Sequence, residues 1–420
     1  MGDIPSLGSI TCPGSMGLIS AGLSFVQHPK PSVIGRHSKF GRKVKAFLCI
    51  FQFFTLIFLY FAKKHITLRS HKDTLLAKSS KRGRLHSYII MYAREVMEIQ
   101  LQCIESEMAL FRETFGKMLR TRVPLADNVI RYFLDRKGKQ LRPMLTILSA
   151  KVLTNEITDE TIYGAVAVEL LHNASLMHDD VVDNSGERHG SATINRIWDN
   201  RVAVLTGDFF LAKCLICSNA TNSMEVSLIL GQMVTSLVEG ELEQLSNARS
   251  HLMSEEAYFS VISGKTASLF SACMRIGAHS VKATPEQVQK LGLVGEKIGL
   301  IFQIRDDIFD YFPSTSEVGK PTGHDIQEGK VTLPLLYALQ QAPSDQSQRM
   351  RAILSNNRDL TEEEISTLID FAKQMGGIEY AQARMKNIAF EAKQLLLDFP
   401  AGPCLDALMG LVDYFIERNH

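Results

Sequence analysis

Two aspartate clusters constrain this chain more than any other feature. His178-Asp179-Asp180-Val181-Val182-Asp183 closes a largely apolar run from Tyr163 to Met177, and Asp306-Asp307-Ile308-Phe309-Asp310 closes another from Ile298 to Ile304. In each cluster the acids stand at i, i+1 and i+4, so Asp179 and Asp183 share one face of a helix, about 5–6 Å apart at Cβ. Like charges at that spacing cost roughly 0.2–0.5 kcal/mol when exposed, and more beside an apolar face unless a cation joins them. One such cluster is usually a helix end or a solvated face. Two alike, about 127 residues apart (306 − 179), ask for a shared cationic ligand.

The periodicity around them is helical almost throughout. Val96, Ile99, Cys103, Met108, Phe111 and Phe115 mark a first amphipathic helix from about Glu95, and Pro124 opens a second that runs to Asp135. Further helices are predicted near 140–154, 159–182, 201–220, 223–248, 254–279, 284–312, 331–341, 361–374, 377–398 and 403–417. Strand signals are nearly absent. The expected fold is all-α, a single-domain many-helix bundle over residues 95–420, with 159–182 and 284–312 near its centre and the acid clusters facing each other.

Charge divides the chain. Residues 1–94 hold 15 Lys or Arg against Asp3 and Asp73, a net +13, which leaves about −12 on the remaining 326. Residues 1–40 are rich in Gly, Pro and Ser and read as disordered. Ala46 to Ala62 is 17 residues without a charge, at the short end of what spans a bilayer. It fits an N-terminal anchor, an interfacial segment, or a non-native extension ahead of a start near Met91 or Met97. It suits neither a secretory signal nor a transit peptide. The seven cysteines are scattered and suggest no disulfide framework. Cys214-Leu-Ile-Cys217, inside an apolar run, reads as core. A reducing, cytoplasmic setting follows, with membrane association through 46–62.

Cations accompany the acids: Lys139 and Arg142 in Gly-Lys-Gln-Leu-Arg-Pro, Arg188 and His189 after the first cluster, Lys265 beside Thr266, then Lys320 and Lys330 after the second. Each alone would pass as a surface charge. Carboxylates that take a hard divalent ion, with Lys and Arg beside them, form a site for phosphate oxygens, and Mg²⁺ favours a few carboxylates plus substrate phosphates.

The set GKQLRP, HNASLMHDDVVD, ERHG, GKTASL, FQIRDDIFD and GKPTGHDIQEGK resembles the trans-isoprenyl diphosphate synthases, most closely the long-chain polyprenyl diphosphate synthases, over roughly residues 95–420. The resemblance implies an isoprenoid-synthase bundle with a central active-site cavity. It also implies repeated condensation of isopentenyl diphosphate with an allylic diphosphate into a long all-trans product, a quinone side-chain precursor. Mg²⁺, three ions with substrate bound and Mn²⁺ as the substitute, would bridge Asp179, Asp180, Asp183 and Asp306 and, less centrally, Asp307 and Asp310. Arg188, Lys265, Thr266, Phe302, Gln303 and Lys320 would hold the allylic substrate, with Lys330 nearby. Isopentenyl diphosphate would sit on Lys139, Arg142 and His172, the last two turns from Asp179 on the same helical face. His178 is left to packing. A homodimer is implied, and no nucleic-acid partner.

Short-chain members of that family carry a bulky aromatic one turn before the first aspartates. Here Ala174 and Ser175 are small, so the path for the growing chain is expected to be open, with Phe209 and Phe210 as candidates for its floor or for ordinary core. The alternatives are a short-chain synthase, a non-catalytic subunit of a heteromeric synthase, and a class I terpene cyclase. The intact aspartates argue against the second, and the Lys139, Arg142 and His172 set argues against the third.

The family's second arginine after the first cluster is His189 here. Histidine lacks the bidentate fork and, with an ordinary pKa of about 6.5, loses its charge near neutrality. The Michaelis constant for isopentenyl diphosphate is therefore expected to rise above about pH 7 in the parent and to stay flat in His189→Arg; identical profiles would exclude the role.

Overall fold

From Glu105 onward the described chain is helix after helix. A computed structural model describes residues 101–135, 138–188, 190–250 (backbone alone at 248–250), 254–312, 322–355 and 360–418. After a 3₁₀ turn at Gln102–Ile104 come α1 (Glu105–Met118), α2 (Pro124–Leu134), α3 (Leu141–Lys151) and α4 (Asp159–Val182). A two-residue hairpin pairs Glu187–Arg188 antiparallel with Ser191–Ala192, and the short α5 (Ile194–Ile197) follows. Next are α6 (Asn200–Ala220), α7 (Met224–Ser250), α8 (Glu255–Ile262), a π-helical turn (Ser263–Ala267), α9 (Ser268–Ser280) and α10 (Pro285–Phe309). The chain finishes with α11 (His324–Gln327), α12 (Leu333–Gln341), α13 (Ser344–Leu354), α14 (Glu362–Gln374), α15 (Gly377–Leu396) and α16 (Pro403–Glu417).

The two helices that end in aspartate clusters are built to sit at the centre. Thr158 and Thr161 close a capping box at the start of α4, with Asp159 and Glu160 in the first turn where the helix dipole favours them. Thr284 and Gln287 do the same for α10, with Pro285 at its first position. Ala165, Val166, Ala167, Val168 and Leu170 of α4 are all fully buried, so this helix is apolar on most sides. Such a helix has to be surrounded, and α1, α3, α6 and α9 pack on it while α9, α15 and α16 pack on α10.

Most predicted helices stand where the periodicity placed them. The expected 254–279 helix is instead two, parted by the π turn, which periodicity cannot reveal because the apolar stripe continues through it. α13 falls in a stretch where no helix is predicted. Its first six residues are polar, and its apolar side chains, Met350, Ile353 and Leu354, come only in the last turns, where they pack half-buried on the core, too short a stripe to read. α6 is long and apolar enough, by length and composition, to cross a membrane, and 39% of that window is buried. It packs lengthwise on α4, so its apolarity serves the core on one side. Residues 1–94, including the 46–62 segment, lie outside the described residues, as do His189 and Lys320.

α9 and α3 touch backbone to backbone. A Cβ on Gly277 would stand 2.0 Å from the carbonyl oxygen of Thr146, a contact only displacement of a helix could relieve. Gly277→Ala is expected to cost about 1–3 kcal/mol in denaturant unfolding. Gly116→Ala in α1, where a Cβ meets nothing within 4 Å, should be neutral or stabilising by up to about 1 kcal/mol. Equal effects at the two positions would refute the close-contact account.

Candidate active site

The first cluster occupies the last turn of α4. Asp180 is buried and turned toward the hairpin, where it accepts a hydrogen bond from Arg188 Nε at 2.7 Å. Asn195 donates to the carbonyls of Asp180 and Ser185, and Thr193 donates to Ser185, so the hairpin is fastened where it delivers Arg188. Asp179 faces elsewhere. Burial and the carboxylates of Glu241 and Asp183 push its pKa up to about 6, against the pull of Lys265 and Arg188. Asp183, the helix C-cap, is exposed.

Glu241 comes from α7, and Lys265 from the π turn against it. A Cβ on Gly240 would lie 2.8 Å from the backbone nitrogen of Lys265, so α7 and the turn meet without side chains between them. That approach sets Glu241 Oε1 2.5 Å from Lys265 Nζ. Thr266 donates to Gln303 Oε1 at 2.8 Å, and Gln303 in turn donates to Asp307 Oδ1 at 2.8 Å. A π turn displaces successive side chains relative to an α-helix, a distortion concentrated at functional sites.

The second cluster divides its tasks. Asp306, the more open acid, receives Arg418 Nη2 at 2.5 Å. Asp307 is buried; Tyr258 Oη donates to its Oδ2 at 2.6 Å, and desolvation with the Asp325 charge holds its pKa well above the usual carboxylate range. Asp310 spends both oxygens on backbone, accepting from the N–H groups of His324 (2.9 Å) and Asp325 (3.0 Å). Lys330 Nζ lies 2.5 Å from Glu328 and 3.9 Å from Asp325. A cavity between these elements is lined by Tyr258, Lys265, Thr266, Gln303, Asp307 and Lys330.

Charge links the clusters. Lys265 lowers both Asp179 and Glu328, Asp183 raises Lys330, and Asp306 raises Arg142. Among the described residues no three His, Cys, Asp or Glu side chains converge closely enough to hold a metal unaided. That suits an ion whose remaining ligands are water and substrate phosphate. Asp179, a carboxylate crowded by two others, is the observation that fits a cation here.

A second set of cations sits beside Asp306. Arg142 is half-buried, its guanidinium over Phe270 (5.3 Å) and Phe302 (5.9 Å), and its buried Nε has no hydrogen-bond partner. Burial depresses its pKa, while the buried carboxylate of Glu169 opposes this. His172, half-buried, lies three residues along α4 from Glu169. Lys139 Nζ is 3.2 Å from Tyr414 Oη. Arg418 joins them: it lies over Phe302 at 4.0 Å, donates to the Phe302 carbonyl, and repels Arg142 and Arg305. No motif marks Arg418. The only signal available was one basic residue directly after a strongly apolar helix.

Ala174 is fully buried and Ser175 half-buried, its hydroxyl donating to the His172 carbonyl at 2.9 Å. Phe210 is core, edge-on to Phe133; Phe209 is half-buried with Lys213 over its ring. His178 packs against α6, 3.5 Å from Asp208.

Comparison with known proteins places this geometry. The polyprenyl synthetase family model matches residues 123–371. Octaprenyl diphosphate synthase of Escherichia coli (strain K12) is 32% identical over 315 residues, 74% of this chain and 96% of that protein. A polyprenyl synthase from Caulobacter crescentus CB15, solved with calcium and isoprenyl diphosphate, superposes with a TM-score of 0.71 at 31% identity, covering 77% of this chain and 98% of the other. A geranylgeranyl pyrophosphate synthase from Bacteroides thetaiotaomicron gives 0.65 at 39% identity, covering 76% and 99%.

The raised carboxyl of Asp179 has a measurable cost in the metal-free protein. An acid whose folded pKa, about 6, exceeds its ordinary 3.8 costs nothing below about pH 4, and the full penalty applies above about pH 6. Asp179→Asn is therefore expected to stabilise the metal-free protein by about 1–2 kcal/mol at pH 8, allowing for partial exposure, with the gain shrinking toward pH 5. A gain independent of pH would refute the crowding.

Proposed function

As the chain belongs to the polyprenyl synthetase family, we propose that it is a prenyltransferase that adds isopentenyl diphosphate repeatedly to an allylic diphosphate, giving a long all-trans polyprenyl diphosphate. The observation that carries this reading is Lys265, ion-paired with Glu241 of α7 and lining one cavity with Asp307, Asp325 and Lys330. An ammonium held between two acidic walls is placed to receive an anion, once that anion brings cations for the carboxylates.

Asp179, Asp183 and Asp306 are the carboxylates that would hold the divalent ions, Mg²⁺ by preference. When bound, such ions neutralise negative charge on a departing diphosphate. The chain's own cations act on the same oxygens: Arg188, swung in by the hairpin, and Lys265 and Lys330, each released from a glutamate. Gln303, fixed between Thr266 and Asp307, offers polar contact without charge. Asp307 and Asp310 keep the end of α10 and the start of α11 in place.

Isopentenyl diphosphate is assigned to Lys139, Arg142 and His172, with Arg418 added. A guanidinium partly withdrawn from water between aromatic rings attracts a diphosphate more strongly than one in bulk water. As the allylic carbon–oxygen bond breaks, the double bond of isopentenyl diphosphate closes on that carbon. The proton then lost has the freed diphosphate as its nearest base. No nucleophilic Ser or Cys takes part. Phe302 and Phe270 flank the Arg142 guanidinium.

Leu205, Leu215 and Ile216 of α6 and Leu228, Leu242 and Leu245 of α7 are all half or more exposed. Two neighbouring helices carrying such a row support a homodimer.

Small Ala174 and Ser175 favour long products over the geranylgeranyl length of one structural relative. With farnesyl diphosphate, labelled isopentenyl diphosphate and Mg²⁺, sized products should extend well beyond geranylgeranyl diphosphate, and Ser175→Phe should shorten them. Products ending at farnesyl or geranylgeranyl diphosphate in the parent would overturn the long-chain reading.

A further inference from the structure

We propose that Arg418 is a counter-ion switch: its guanidinium holds the Asp306 carboxylate in the metal-free protein, competes with a divalent ion for it, and passes to isopentenyl diphosphate when the ion engages Asp306. On the prenyl-transfer reading above, from which this follows, such a switch couples the two diphosphate pockets to each other.

Arg418 is the C-cap of α16. Its backbone N–H donates to the Tyr414 carbonyl at 2.8 Å, and its own carbonyl accepts from Arg305 Nε at 2.8 Å, so the backbone is tied at both polar groups. The side chain turns inward along one face of α10, where Phe302, Asp306 and Phe309 stand at i, i+4 and i+7. Its guanidinium lies 4.0 Å from the centre of the Phe302 ring and 5.7 Å from that of Phe309. One nitrogen, Nη2, donates both to the Phe302 carbonyl at 3.0 Å and to Asp306 Oδ1 at 2.5 Å. The buried Nε has no hydrogen-bond partner. A guanidinium is a rigid fork that suits two anionic oxygens at once, so this pairing leaves it short of the partner a diphosphate would be.

Exposure separates the two partners. The Asp306 side chain is 41% exposed and that of Arg418 only 7%. An ion from solvent can therefore reach the carboxylate, whereas the arginine is enclosed by rings. A buried charge that loses its partner is the costly case, so Arg418 gives up Asp306 only where another anion receives it. The Arg142 guanidinium shares the Phe302 ring, 5.9 Å from its centre, and the Arg305 guanidinium shares Phe309 at 4.9 Å. After the larger effect of burial, the charge of Arg418 depresses the pKa of both. Once a divalent ion engages Asp306, Arg142 and Arg418 stand on one ring without that carboxylate, and a diphosphate is an anion able to take both. Coupling of this kind is reciprocal: an anion that draws Arg418 away also opens Asp306 to the ion.

The full chain, freed of divalent ions, would be titrated with Mn²⁺ followed by electron paramagnetic resonance, and with isopentenyl diphosphate followed by calorimetry, with no allylic substrate present. Arg418→Gln is expected to bind Mn²⁺ about 5-fold or more tighter than the parent and isopentenyl diphosphate about 5-fold or more weaker. It should also lose the gain in isopentenyl diphosphate affinity that Mn²⁺ gives the parent. Arg418→Lys, which keeps the charge, should return the Mn²⁺ affinity toward that of the parent. A merely structural role would weaken both ligands in Arg418→Gln; that result, or an unchanged Mn²⁺ affinity, would overturn the switch. In the parent itself, phenylglyoxal should modify Arg418 faster with Mg²⁺ than without, read by peptide mapping; an equal or slower rate would overturn the switch even if Arg418→Gln failed to fold. Condensation of farnesyl diphosphate with labelled isopentenyl diphosphate by the parent, assayed separately, distinguishes the two readings. Product formed without the opposite shifts in Arg418→Gln would remove the switch alone, and opposite shifts without product would remove the proposed reaction alone.

Discussion

Carboxylates gathered where water is scarce have to be given positive partners, and much of this structure answers that demand. Two unit charges 4 Å apart interact by about 4 kcal/mol at an effective dielectric of 20, comparable with a large fraction of a domain's net stability. Around α4 and α10 the fold sets Arg188 on Asp180, Lys265 on Glu241, Arg418 on Asp306, and Tyr258 with Gln303 on Asp307. Asp179 has the weaker bargain: the fields of Lys265 and Arg188 do not offset burial, Glu241 and Asp183. An uncompensated carboxylate on a rigid central helix is a poor structural choice and a good reception site for a cation.

The same demand explains why the two clusters, alike in sequence, differ in the fold. The first ends its helix beside a hairpin and keeps Asp179 and Asp183 on one side. The second runs into a turn whose backbone N–H groups need acceptors, and Asp310 supplies both oxygens to them. Asp307 is committed to Tyr258 and Gln303. The six aspartates are therefore not alike: Asp180 is held by Arg188, Asp306 by Arg418, Asp307 by Tyr258 and Gln303, and Asp310 by backbone, while Asp183 stands exposed and Asp179 crowded by other carboxylates.

Helical periodicity made α4, α6, α7, α10, α15 and α16 legible, because each buries an apolar face. α13 was not legible because its apolar side chains, Met350, Ile353 and Leu354, are confined to its last turns behind a polar first half, and the π turn was not because it shifts hydrogen bonds without interrupting the stripe. At the site, Asp179, Arg188, Lys265 and Gln303 could be found because motif spacing marks them. Arg418, Glu241 and Glu169 could not. Each acts on a residue far away in the chain, and a lone charge in a helical stretch looks the same whether it faces water or another helix.

α16 shows how packing and chemistry share one element. Phe415 is fully buried against Phe270 and Phe302, and those two rings flank the half-buried Arg142. The helix then ends on Arg418, carried by the same packing to Asp306. Loosening α16 would therefore do more than open a hydrophobic seam. It would expose Arg142 further, withdraw Arg418 from Asp306, and free Lys139 from Tyr414. What α16 places at its end, Tyr414 on Lys139 and Arg418 on Asp306, therefore depends on the packing of the whole helix.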